Sequence, residues 1–204
     1  MKFFITGTDT NIGKTLVSAW LCLHSKYAYF KPIQTGSIEG TDSSAVQELS
    51  DTKIYKESYI FKHPSSPHMA SKLENTLIDP KLIALPQEEN IIVEGAGGIY
   101  VPINDRYLII DLIKRLDIPV IIVCSPRLGT INHTLLTIQA LRSRSIDICG
   151  VIISGEKNLE NYKAIEYYGK VEILAELPYI RNINKQTLSE IPLSQKLKDI
   201  LKVN

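Results

Sequence analysis

Four short runs rich in Val and Ile limit what this chain can fold into: Phe3–Thr6, Asn90–Glu94, Pro119–Cys124 and Cys149–Ser154. Each ends in a turn bearing Gly or Ser, and none alternates strictly between apolar and polar residues. Strands apolar on both faces belong in a parallel sheet covered on both sides. Tyr27–Lys31 and Val171–Ala175 are weaker candidates of the same kind. Helical patterns fill the gaps. Thr15–His24 is apolar nearly all round, as a helix packed deep against a sheet must be, and Asp42–Leu49, Leu108–Leu116, Ile131–Arg142, Glu160–Tyr168 and Leu193–Leu201 follow. This alternation predicts a three-layer α/β fold, a mostly parallel sheet flanked by helices through right-handed crossovers. At 204 residues the whole chain, 1–204, is expected to form one domain. The polar segment Asn182–Pro192 is expected to be poorly ordered.

Charge narrows the functional classes. Lys and Arg number 23 against 22 Asp and Glu, a net charge of +1, which argues against a general binder of nucleic acid or of an acidic membrane surface. Cys22, Cys124 and Cys149 are odd in number and lack metal or redox spacing, so they read as buried small hydrophobes in a reducing compartment. The N-terminus turns polar by Thr6, too early for a secretory signal, and no run approaches the ~20 apolar residues of a membrane span. A soluble, cytoplasmic protein is expected.

Ligands of a parallel sheet bind beyond the carboxyl ends of its strands. After the first run comes Gly7-Thr8-Asp9-Thr10-Asn11-Ile12-Gly13-Lys14-Thr15, then the apolar helix. Strand, Gly-rich turn and helix start are the context of a phosphate loop, whose N–H groups and helix dipole cradle phosphate oxygens. In the P-loop NTPase pattern Lys14 reaches the β- and γ-phosphates and the Thr15 hydroxyl ligates Mg²⁺. The glycines stand one residue further apart than the standard spacing.

Glu94 closes the second run and is followed by Gly95-Ala96-Gly97-Gly98. A carboxylate there suits an acid that holds Mg²⁺, with glycines letting backbone amides approach an anion; the plain alternative is a solvated residue before a turn whose glycines supply positive φ. Lys31, in Lys31-Pro32-Ile33-Gln34-Thr35-Gly36, sits at a strand's carboxyl end, as a functional cation or an edge lysine. Asp42, after Gly40-Thr41, opens a helix and reads as either a metal ligand or its N-cap.

Together these segments resemble one family. Gly7–Thr15, Lys31–Gly36, Ser66–His68, Val93–Gly98 and Leu128–His133 are similar, in order, to the motifs of dethiobiotin synthetases, including the long glycine spacing. The resemblance implies ATP- and Mg²⁺-dependent carboxylation and ring closure of 7,8-diaminononanoate with CO₂ or bicarbonate, through a carbamate and a carbamic–phosphoric anhydride. It implies Mg²⁺ on Thr15, Asp42 and Glu94, and Lys14 and Lys31 as catalytic cations flanking the γ-phosphate. Asn11, Ile12, Gly13, Lys14, Thr15 and Leu16 wrap the triphosphate in this reading, with Gly95, Ala96 and Gly97 completing the nucleotide site. Thr35, Ser66 and Gly98 contact the substrate, and Gly129, Thr130, Ile131 and Asn132 hold its carboxylate from the second subunit of a homodimer. The plain alternative for that helix start is N-capping by Thr130 or Asn132. His68 and His133 read as structural hydrogen-bonding residues.

One departure concerns the base. Ser154-Gly155 stands where the family carries an Asn, and a hydroxyl cannot supply an amide's paired donor and acceptor, so base preference is not legible. Pro178, Tyr179 and Ile180 belong to the loop that the resemblance lays over the base. Amidotransferases of cobyrinate synthesis share the long phosphate loop but need a glutaminase domain for which the chain has no room. Partition and positioning ATPases carry an additional early lysine that Gly7–Ile12 lacks.

Overall fold

A computed structural model describes residues 1–203. In chain order the strands and helices are β1 (Lys2–Gly7), α1 (Lys14–Ser25), β2 (Ala28–Phe30), β3 (Ile33–Gln34), α2 (Asp42–Ser50), β4 (Ile54–Tyr55), β5 (Tyr59–Ile60), α3 (Pro67–Leu73), β6 (Ile91–Gly98), α4 (Ile109–Leu116), β7 (Val120–Cys124), α5 (Thr130–Ser143), β8 (Ile148–Ser154), α6 (Leu159–Gly169), β9 (Ile173–Leu177), α7 (Lys185–Ser189) and α8 (Gln195–Leu201). Seven strands form one sheet in the order β4-β2-β6-β1-β7-β8-β9, with every neighbouring pair parallel. β3 and β5 form a small parallel pair beside it.

The period of two along each strand divides the core. Phe4, Val93, Ile122 and Ile153 pack on one face among residues of α4, α5 and α6; Ile5, Ile92, Val123 and Ile152 pack on the other against Trp20 and Leu21 of α1, Leu188 of α7 and Leu197 of α8. The expected architecture is therefore present, with apolar side chains on both sheet faces. Cys22 and Cys124 are buried in these layers, while Cys149 is half-buried.

Two expectations are corrected. The segment 182–192 contains α7, whose N-terminus carries a capping box between Asn184 and Thr187 and whose Leu188 is fully buried. Its polarity reflects caps and exposed positions around two apolar anchors, Leu188 and Ile191, the latter's carbonyl accepting from Trp20 Nε1 at 2.7 Å. The run beginning at Asn90 does not turn after Glu94: β6 continues to Gly98, which pairs with Gly7 beyond a register shift. A Cβ at Gly95 would lie 2.8 Å from the Phe4 ring, so close packing, not a turn, requires glycine there. β3, β4, β5 and α3 are too short for periodicity to reveal.

Candidate active site

The carboxyl ends of β1, β2 and β6 converge under the start of α1. Gly13 takes a left-handed conformation (φ 94°) that lets the loop turn into α1, and a Cβ there would fall 2.5 Å from the Ser154 hydroxyl. No side chain caps α1, so its first N–H groups are left for an anion. Lys14 is buried and its Nζ donates to the Asp9 carbonyl at 2.8 Å. Burial, opposed by Glu94 and assisted by Lys31, pulls its pKa down to about 8.

Lys31 lies at the centre of the site. Its ammonium is 2.7 Å from Asp42 Oδ2 and 3.0 Å from Glu94 Oε1, and it donates to the Gly95 carbonyl at 3.0 Å. Burial disfavours its charge, but Glu94 and Asp42 outweigh that and hold its pKa above the ordinary lysine value. Burial likewise opposes the Asp42 charge, and Lys31 overrides it, so the Asp42 pKa lies below the usual carboxylate value. The Thr15 hydroxyl is 2.9 Å from Asp42 Oδ1 and 3.0 Å from Glu94 Oε1. Three oxygen donors, two of them carboxylates, thus meet at one point beside the phosphate loop. That hard-oxygen set fits Mg²⁺.

Glu94 is fully buried, not solvated, and its other oxygen, Oε2, accepts from Ser18 Oγ at 2.7 Å and from Tyr29 OH at 3.1 Å. Asp42 is not the N-cap of α2: Thr41 is, accepting from the Ser44 N–H, and this frees the Asp42 carboxylate to face Lys31. The Asp42 N–H donates to Gln34 Oε1 at 2.9 Å. Ser18, Tyr29 and Gln34 were not anticipated from the sequence. Their signal lies in spacing, because Ser18 is one turn beyond Lys14 and Thr15, and Tyr29 shares a strand face with Lys31.

A cleft of about 970 Å³ opens over this point and is lined by Asn11, Ile12, Gly13, Lys14, Thr15, Lys31, Thr35, Asp42, Ser66, Glu94, Ala96 and Gly97, among others. Most of the expected site residues are therefore together. Leu16, Gly95 and Gly98 lie outside its lining. Ser154 stands against Gly13, and Tyr179 lines a separate cleft of about 320 Å³ with Ser125, Pro126, Arg127, Gly155 and Asn158. Pro178 and Ile180 flank Tyr179. Gly129, Thr130, Ile131 and Asn132 stand at the start of α5 and do not line the large cleft.

A family model described as an AAA domain matches residues 1–187. The ATP-dependent dethiobiotin synthetase of Lawsonia intracellularis is 56% identical over 200 residues, covering 98% of each chain. That of Paramagnetospirillum magneticum is 46% identical over 93% of each. The chain belongs to the dethiobiotin synthetase family. It is an enzyme, a ligase, as that family is. Among solved structures, a ParA family ATPase from Chlorobium tepidum superposes with a TM-score of 0.57 over 98% of this chain and 96% of its own, at 16% identity. A MinC:MinD complex from Aquifex aeolicus gives 0.56 at 15%, covering 98% of this chain and 93% of that one. These show a shared P-loop fold.

Within the dethiobiotin synthetase frame, the remaining expected residues have clear surroundings. No side chain caps α5, so neither Thr130 nor Asn132 takes the N-capping role; the Thr130 N–H donates to the Arg127 carbonyl at 3.0 Å, and the next two N–H groups have no side-chain cap. His68 Nδ1 is 2.9 Å from Ser66 Oγ. The His133 ring packs beneath Gly129. Among the described residues no helix is long and apolar enough to cross a membrane.

Proposed function

We propose that this chain closes the ureido ring of dethiobiotin from 7,8-diaminononanoate, CO₂ and ATP with Mg²⁺, as one domain and as a homodimer. The observation that carries the reading is the convergence of Thr15 and Lys31 on Asp42 and Glu94, each of the two touching both carboxylates at 2.7–3.0 Å, beside Lys14 and an open helix N-terminus. The reaction needs no nucleophile from the protein. One substrate amine adds to CO₂, forming a C–N bond and a carbamate. A carbamate oxygen attacks the γ-phosphorus, the bond to the β-phosphate oxygen breaks, and ADP leaves. The second amine attacks the carbonyl carbon, the carbon–oxygen bond to phosphate breaks, and the ring is closed.

The residues supply position and charge. Lys14, in the phosphate loop, meets the triphosphate; Lys31 faces the carbamate and the transferring phosphoryl group. Thr15, Asp42 and Glu94 would hold Mg²⁺, which when bound neutralises charge on the phosphates. Thr35 and Ser66, on the outer wall of the cleft, suit the diamine end of the substrate. These groups stand on the β2–β6 side of the phosphate loop. That arrangement supports a nucleoside lying toward the ends of β7, β8 and β9, at the smaller cleft with Tyr179. The uncapped start of α5 offers an anion site outside the large cleft, which supports binding of the substrate carboxylate by the partner's α5.

The test is phosphate release by the purified protein. Release should require diaminononanoate, bicarbonate, Mg²⁺ and ATP together and match dethiobiotin formed. Equal release without the diamine would overturn the reading.

A further inference from the structure

The two oxygens of Glu94 have different surroundings. Oε1 meets Thr15 Oγ1 and Lys31 Nζ, both in the cleft lining, at 3.0 Å each. Oε2 meets only hydroxyls behind that wall, Ser18 Oγ at 2.7 Å and Tyr29 OH at 3.1 Å. The origin lies in register. Tyr29 pairs with Ile92 across β2 and β6, so Tyr29, Ile92 and Glu94 share the sheet face that α1 covers. Ser18, one turn into α1, projects onto the same face. Ser18, Tyr29 and Glu94 are each completely buried. No solvent is available to replace a lost donor, and rotating the carboxylate would leave two hydroxyls unpartnered. A buried apolar side chain at either position would satisfy packing. Hydroxyls at both, aimed at one oxygen, do more than fill space.

We propose that Ser18 and Tyr29 are positioning residues for Glu94: by holding Oε2 they fix the carboxylate plane and leave Oε1 as the single oxygen offered to the metal and to Lys31. This rests on the reading of Glu94 as a metal-holding acid, and it adds a role for two residues that touch neither nucleotide nor substrate.

The test is binding, not turnover. Mn²⁺ is titrated into the protein with a non-hydrolysable ATP analogue and followed by electron paramagnetic resonance; affinity for the analogue in EDTA is measured separately. Tyr29→Phe and Ser18→Ala should each weaken Mn²⁺ binding on the order of ten-fold, as the loss of one hydrogen bond to a charged group does. Metal-free binding of the analogue should stay within about two-fold. Ser18→Thr, which keeps the hydroxyl, should bind Mn²⁺ better than Ser18→Ala and guards against a simple packing defect. If wild type takes up Mn²⁺ and both hydroxyl-deleted variants match it, with only thermal stability reduced, the positioning role is overturned. If wild type with the analogue takes up no Mn²⁺, the metal reading of the site fails first.

Discussion

At the scale of single residues, the site sets function against stability. Lys14 is charged in a buried position, and its pKa of about 8 means that holding the proton at neutral pH costs the free protein on the order of 3 kcal/mol. The sign follows from proton counts: between about pH 8 and the ordinary lysine value the folded chain binds fewer protons than the unfolded one, so stability rises with pH through that window. A bound triphosphate reverses the imbalance. Nucleotide binding at pH 9 should take up a proton, visible as a calorimetric enthalpy that depends on the ionisation enthalpy of the buffer; a buffer-independent enthalpy would count against Lys14 on the phosphates. Lys31 behaves in the opposite way, because it is the partner of two carboxylates. Lys31→Met should lower stability by about 3–5 kcal/mol, since it leaves buried Glu94 without its cation, and added Mg²⁺ should restore part of the melting temperature. A melting temperature indifferent to Mg²⁺ in that variant would oppose a metal on Glu94 and Asp42.

At the scale of elements, the strands and long helices were legible because burial on both sheet faces leaves continuous apolar runs, and helix packing leaves a period near 3.6. The site was legible where chemistry coincided with such a run's end, as at Lys14, Thr15 and Glu94. What stayed hidden depended on contacts distant in sequence. Asp42 could be cap or ligand until Thr41 was seen to cap α2 with Ser44. The glycines after Glu94 suggested a turn because nothing local shows that Phe4 packs against Gly95. The 182–192 segment reads as poorly ordered because its anchors are few and distant in sequence: buried Leu188, and Ile191, whose carbonyl accepts from Trp20 Nε1. Since the Thr41 cap aims the first turn of α2 at Lys31, Thr41→Ala should cost about 1 kcal/mol of stability and also raise the Mg²⁺ concentration needed for half-maximal activity. Loss of stability with unchanged Mg²⁺ dependence would detach the cap from the site.

At the scale of the whole molecule, the large cleft gathers the reacting groups while the start of α5, with the fully exposed Leu128 just before it, lies outside its lining. An isologous dimer would give each cleft the other chain's α5. Mixing Lys14→Ala chains with Asn132→Asp chains, under conditions that exchange subunits, should recover activity that neither has alone, since some heterodimers hold one intact site. No recovery would place the substrate carboxylate within one chain. The central claim is that the Lys31, Asp42 and Glu94 cluster drives a carbamate oxygen onto the γ-phosphorus. It is tested most directly by running the reaction with ¹⁸O-labelled bicarbonate in ordinary water, over times too short for isotope washout, and weighing the phosphate released. Phosphate carrying one labelled oxygen is the predicted result; phosphate carrying none, formed at the same rate as dethiobiotin, would contradict it.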